Sequence, residues 1–194
     1  MRFDINFKIL FCTIGFLFLF SLYSSGQTYS FVNYGTEKGL PNGYIYTIIQ
    51  SKDGFLWIGT GNGLIRFDGY SSFPVQYPDS SASRYTTKCL KDKRGTLWFG
   101  CSDGAIFYAK ENRLISVPVS NSKSISELIE GPDGLIYVFP QSKAVYSINP
   151  LKPEEVHQYS LSIEPALFSA SFTKSGNLLI GTQENLLVCK MPVN

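Results

Sequence analysis

The 194 residues are 44% apolar, 16% charged and 15% aromatic, and 17 Lys and Arg face 15 Asp and Glu for a net charge of +2. That profile belongs to a folded chain and excludes disordered, low-complexity and collagen-like ones. Near-neutral balance with scattered cations leaves no electrostatic footprint for a phosphate backbone, so no nucleic-acid partner is expected. The 12 Tyr and 15 Phe favour pleated surfaces, while 17 Gly and 10 Pro punctuate tight connections, which points to an all-β fold.

In chain order, the first feature is a leader. Arg2 and Lys8 precede an apolar run from Ile9 to Tyr23, followed by the small residues Ser24, Ser25 and Gly26. The run is short of the roughly 20 residues a spanning helix needs, and its flanks have signal-peptide layout, with cleavage expected between Gly26 and Gln27. The competing reading is an uncleaved membrane anchor. Cys12 lies inside the run without a small-residue site beside it, so a lipid anchor is not expected. Loss of residues 1–26 leaves Cys89, Cys101 and Cys189, an odd set. Cys89 and Cys101 fall diagonally on one hairpin, and buried free thiols are expected rather than a disulfide.

From Tyr44 onward the chain repeats itself. Asp53-Gly54-Phe55-Leu56-Trp57-Ile58-Gly59-Thr60 is echoed by Arg94-Gly95-Thr96-Leu97-Trp98-Phe99-Gly100-Cys101. Weaker copies lie around Gly134-Leu135-Ile136-Tyr137 and Gly176-Asn177-Leu178-Leu179-Ile180-Gly181. The turn glycines Gly54, Gly95, Gly134 and Gly176 recur about every 41 residues, a period that signals an array of one supersecondary unit. Each copy reads as a four-stranded antiparallel sheet: a strand, a glycine turn, an alternating strand bearing Trp57 or Trp98, a second turn and two further strands. This is the size of a β-propeller blade, so about four blades are expected, near residues 44–77, 85–119, 125–150 and 167–190. Trp57 and Trp98 should pack between blades, with Gly59, Gly100 and Gly181 permitting close backbone approach.

These phrases, with Asn62-Gly63-Leu64-Ile65-Arg66-Phe67-Asp68-Gly69, resemble the two-component regulator propeller repeat. The lead-in Phe31-Val32-Asn33-Tyr34 and Gly39-Leu40-Pro41-Asn42 is similar to the segment opening the periplasmic sensor region of hybrid two-component and related sensor histidine kinases. The resemblance implies a seven-bladed propeller that senses ligands, often oligosaccharides, outside the inner membrane, ahead of a triple-tyrosine domain, a membrane helix and kinase modules. Seven blades of about 41 residues need roughly 290, so an incomplete propeller is expected here. It is either the N-terminal piece of a sensor or a small unit that closes by oligomerising. The segment Tyr29 to Tyr34, which completes the last blade in many propellers, would then lack its partner strand. The product is expected in the periplasm or secreted, or tethered to the inner membrane as part of a sensor kinase. Its expected partners are a small-molecule or glycan ligand and either the rest of such a kinase or a second propeller chain.

Catalytic motifs do not survive their context. Gly100-Cys101-Ser102-Asp103-Gly104 satisfies G-x-S-x-G, with Asp133 and His157 following in order, but strand-like residues follow the serine where a nucleophile elbow needs a helix. His157 is the sole histidine and reads as a solvated loop residue without a second ligand at metal spacing. Gly59 to Gly63 has no helix after it to make a dinucleotide loop, and Asp53 and Asp133 read as turn carboxylates rather than calcium ligands. No catalytic residue, metal or cofactor is expected. Tyr44, Tyr46, Tyr70 and Tyr85 are the candidates for stacking on a sugar ring, against the default that each simply packs on a strand.

Overall fold

The computed structural model describes residues 7, 9–16, 29–41, 43–79, 84–120, 123–161 and 167–190. The chain divides into two units, Met1–Asn33 and Tyr34–Asn194. In the first, residues 9–16 are helical and exposed, and residues 29–33 have no regular secondary structure. No described helix is long and apolar enough to cross a membrane. The Gly26/Gln27 boundary lies outside the described residues.

The second unit is four antiparallel sheets in sequence order. Blade 1 is β1 (Ile45–Gln50), β2 (Leu56–Thr60), β3 (Gly63–Phe67) and β4 (Ser72–Val75). Blade 2 is β5 (Thr86–Lys91), β6 (Leu97–Cys101), β7 (Ile106–Lys110) and β8 (Arg113–Ser116). Blade 3 is β9 (Ile125–Glu130), β10 (Ile136–Pro140), β11 (Ala144–Asn149) and β12 (Lys152–Ser160). Blade 4 is β13 (Leu167–Phe172), β14 (Asn177–Thr182) and β15 (Leu186–Lys190). The all-β architecture of propeller blades matches the sequence reading, with one correction. Three strands of the fourth sheet fall within the described residues. Blade 3 runs to Ser160, past residue 150, because the polar stretch around Glu154 is an outer strand whose exposed side chains hide its periodicity. His157 therefore sits on that strand, opposite Ser147, and not in a loop.

Each blade begins with the same local device. The amide of Ser51 donates to the carbonyl of Phe55, and that of Gly54 to Ser51; the same pair recurs at Asp92, Gly131 and Thr173. Gly54 and its equivalents hold φ between +79 and +89°, where a Cβ is strained. The turn launches an alternating strand whose two faces pack against different blades. Trp57 joins Leu97, Phe99, Phe107 and Leu114 of blade 2. Trp98 joins Ile125, Leu128, Ile136 and Val138 of blade 3, and Tyr137 joins Leu167, Leu178 and Ile180 of blade 4. The core is therefore a row of three interblade layers, the arrangement of quasi-one-dimensional repeats.

The aromatic tips are not satisfied alike. Trp98 Nε1 donates to Asp92 Oδ2 at 3.0 Å, and Tyr137 donates its hydroxyl to Asp133 at 2.8 Å. Trp57 Nε1 is buried and finds no acceptor. The residue in the place of Asp92 is Ser51, whose hydroxyl is turned to Asp53 and to the carbonyl of Phe55. Substituting Ser51→Asp is expected to supply the missing acceptor and add about 1 kcal/mol, read as a higher urea midpoint at unchanged slope.

The two ends of the row differ. Blade 1's outer face, Ile58, Ile65 and Phe67, is covered by Leu40 from the lead-in. Tyr34 meets Phe67 edge-on at 5.2 Å, and Ser72 Oγ donates to the carbonyl of Gly39. No described sheet follows blade 4, whose Phe168, Leu186 and Val188 are 54%, 69% and 64% exposed.

Candidate functional site

Three of the four candidate tyrosines meet at one end of blades 1 and 2. Tyr44 and Tyr85 each stand just before an inner strand, and their carbonyls accept from the following β2–β3 and β6–β7 turns, at Gly61 and Ser102. Ser124 holds the equivalent place in blade 3, accepting from Gln141. Tyr46 arrives by a different route. The β1–β2 ladder pairs Ile45 with Thr60 and Thr47 with Gly59, leaving Tyr46 as the extra residue of a β-bulge. A bulge re-aims the side chain that alternation would place, and Tyr46 stacks on Tyr85 at 5.4 Å and 17°, with Tyr44 6.4 Å beyond. The same bulge falls at Thr87, Ser126 and Phe168 in blades 2, 3 and 4.

Tyr44 is 80% and Tyr46 47% exposed, so aromatic surface stays in water where packing would have hidden it. Tyr70 is also exposed but sits in the β3–β4 turn, which Asp68 caps by accepting from the amides of Tyr70 and Ser71. An antiparallel sheet puts that turn at the opposite end of the blade, so Tyr70 does not join the other three.

Arg84, which sequence reasoning did not single out, frames the cluster. Its Nε donates to Asp103 at 2.6 Å and its Nη1 to Asp79, and the guanidinium lies over Phe107 and Tyr77 at 5.1 and 5.5 Å. Burial opposes its charge, but the two carboxylates outweigh burial and raise its pKa above the ordinary value, while Arg84 holds Asp79 below the usual carboxylate range. Behind it, Tyr77 shares a hydrogen bond with Thr86 at 2.9 Å, and its phenol is raised by burial. A cleft of about 560 Å³ runs from Gly39 and Pro41 past Asn62 and Tyr77 to Asp79 and Arg84.

Nothing in this arrangement resembles a nucleophile with its base. Ser102 lies in a hairpin turn whose ends are tied by Cys101 N–H donating to Ala105 O at 3.0 Å. Cys101 is wholly buried, and burial pushes its thiol up to about 12. All the cysteines are free. Among the described residues, no group of His, Cys, Asp or Glu could hold a metal ion.

Bladed sheets with interblade aromatics define a β-propeller-type protein. Residues 39–62, from the lead-in through β2, match the family profile described as Two component regulator propeller. The extracellular domain of the putative hybrid two component system BT3049 from B. thetaiotaomicron superposes with a TM-score of 0.68 at 18% identity, over 81% of this chain and 24% of that one. The extracellular domain of the putative one component system BT4673 from the same organism gives 0.65 at 22% identity, over 78% and 22%. The WD40 β-propeller domain of Doa1 gives 0.60 at 11%, over 78% and 52%. The chain thus spans less than a quarter of the length of the two extracellular domains it resembles. No curated protein matches the sequence.

Proposed function

We propose that this chain is the extracytoplasmic, ligand-sensing propeller portion of a two-component sensor, exported by residues 1–26 and without chemistry of its own. The ligand is an oligosaccharide seated on Tyr44, Tyr46 and Tyr85. The observation that carries this reading is the break in repeat symmetry. Trp57, Trp98 and Tyr137 recur because each interblade layer needs them, whereas the place before the inner strand holds exposed Tyr44 in blade 1, half-buried Tyr85 in blade 2 and Ser124 in blade 3. The apolar face of a pyranose stacks on such rings, and their hydroxyls remain free for polar contacts. A two-component system is named in the profile matched by residues 39–62 and in the similar extracellular domain of BT3049, which supports the sensor reading.

Isothermal titration of the full chain against a panel of oligosaccharides tests it. Tyr44→Ala and Tyr85→Ala are each expected to weaken binding about five- to tenfold, the worth of one aromatic stack. Tyr70→Ala serves as the distant comparison and should leave binding as it is. Equal loss from all three, or none, sinks the assignment.

A second reading is favoured by the uncovered face of blade 4. A row that ends on exposed Leu186 and Val188 could serve as a stand-alone unit that pairs with a second propeller chain. Sedimentation of the secreted chain separates the two: a discrete, cooperative dimer supports the interaction unit, and a monomer supports the sensor portion.

A further inference from the structure

The charges around the tyrosine platform select among sugars, and this inference rests on reading that platform as the ligand site. We infer that the platform takes uncharged oligosaccharides and rejects uronates and sulfated sugars. An exposed cation would favour an anionic sugar, but Arg84, next to Tyr85 in sequence, does not offer one. Its side chain is 7% exposed, while those of its partners Asp79 and Asp103 are 57% and 41% exposed. The guanidinium faces inward onto Phe107 and Tyr77, and the carboxylates face water. One cation against two carboxylates leaves this cluster a net negative charge, presented outward.

Asp103 is close to the platform, since the amide of the preceding Ser102 donates to the carbonyl of Tyr85 at 3.0 Å. Further along β5, Lys88, 39% exposed, pairs with Glu127 at 3.6 Å, so its charge is offset. Lys123 and Lys143 lie at the same end but one blade further on, in blade 3, and Glu184 in the corresponding turn of blade 4. A carboxylate or sulfate on a sugar stacked at Tyr44 therefore meets like charge, which costs binding and does so more at low salt. A neutral pyranose loses nothing, and its hydroxyls can donate to the free lone pairs of Asp79 and Asp103.

The test compares two probe sets on the full chain by titration at low and moderate salt. One set is neutral gluco-, manno- and xylo-oligosaccharides; the other is oligogalacturonates and heparin-derived oligosaccharides. Neutral probes are expected to bind with little salt dependence, and acidic ones at least about tenfold more weakly, the gap narrowing as salt rises. Asp103→Asn should narrow the low-salt gap by about threefold or more, and Asp79→Asn, with its more exposed side chain, gives an independent second variant. Acidic probes that bind as tightly as neutral ones, or a gap that neither variant moves, overturn the charge selection. Binding that ignores Tyr44→Ala, or silence from both sets, overturns the platform reading itself and this inference with it.

Discussion

Trp98→Ala is expected to cost about 3–5 kcal/mol and to split urea unfolding into two steps. Trp98 is fully buried in the layer between blades 2 and 3, where truncation opens a cavity among Ile125, Leu128, Ile136 and Val138. It also removes the donor that satisfies Asp92, which is 4% exposed and whose other oxygen holds the amides of Arg94 and Thr96. Nearest-neighbour coupling carries the cooperativity of a repeat array, so a weakened middle layer lets blades 3 and 4 melt apart from blades 1 and 2. Phenylalanine separates packing from hydrogen bonding. Trp98→Phe should still cost more than Trp57→Phe, because the Trp57 nitrogen has no partner to lose. Equal costs for the two phenylalanine variants would refute the account of the turn carboxylate.

Gly59→Ala is expected to destabilise by about 1–3 kcal/mol through overpacking alone. A Cβ at Gly59 would lie 2.6 Å from Thr47 Cγ2 and 2.7 Å from the carbonyl oxygen of Thr86 in the next blade. The threonine methyl can turn, but the carbonyl is backbone of β5, and Thr86 is wholly buried and bonded to Tyr77. Gly100 repeats the contact against the side chain of Ile125, at 2.6 Å. Gly181 is different, for its nearest neighbour is the hydroxyl of Ser169 in its own sheet, also at 2.6 Å, which a rotamer change clears. Denaturation midpoints should therefore order the variants, with Gly59→Ala and Gly100→Ala well below Gly181→Ala. A Gly181 variant as damaging as the other two would show that strand geometry, and not the neighbouring blade, sets the requirement.

Lys52 Nζ donates to the carbonyl of Arg94, and Lys91 Nζ to that of Gln50, at 2.9 Å for the latter. Such ties join the turn ends of blades 1 and 2 across the layer that Trp57 fills. They are exposed and contribute little individually, which leaves the apolar layer as the term that sets blade coupling.

The blade was legible from the residues because its signals are local. A glycine at positive φ, an aromatic three residues later and alternation in between are properties of a handful of consecutive positions, and they survive even where Leu179 stands in the aromatic's place. The outer strand of blade 3 was not legible, since β12 buries too little for alternation to show and Glu154, Glu155 and His157 read as loop. Nor could the tyrosines be sorted. Tyr70 and Tyr44 are both exposed aromatics beside turns, and only the direction of the strands puts them at opposite ends of the blade. Tyr46 was placed by a bulge, a one-residue slip in pairing that no period-two pattern contains. Arg84 gains its role from Asp79 and Asp103, of which the second is brought to it by the β6–β7 turn. Repeat, fold and interblade aromatics followed from short-range backbone preference and periodicity. The platform and its charge followed from register between strands, because pairing decides which side chains separated in sequence share one surface.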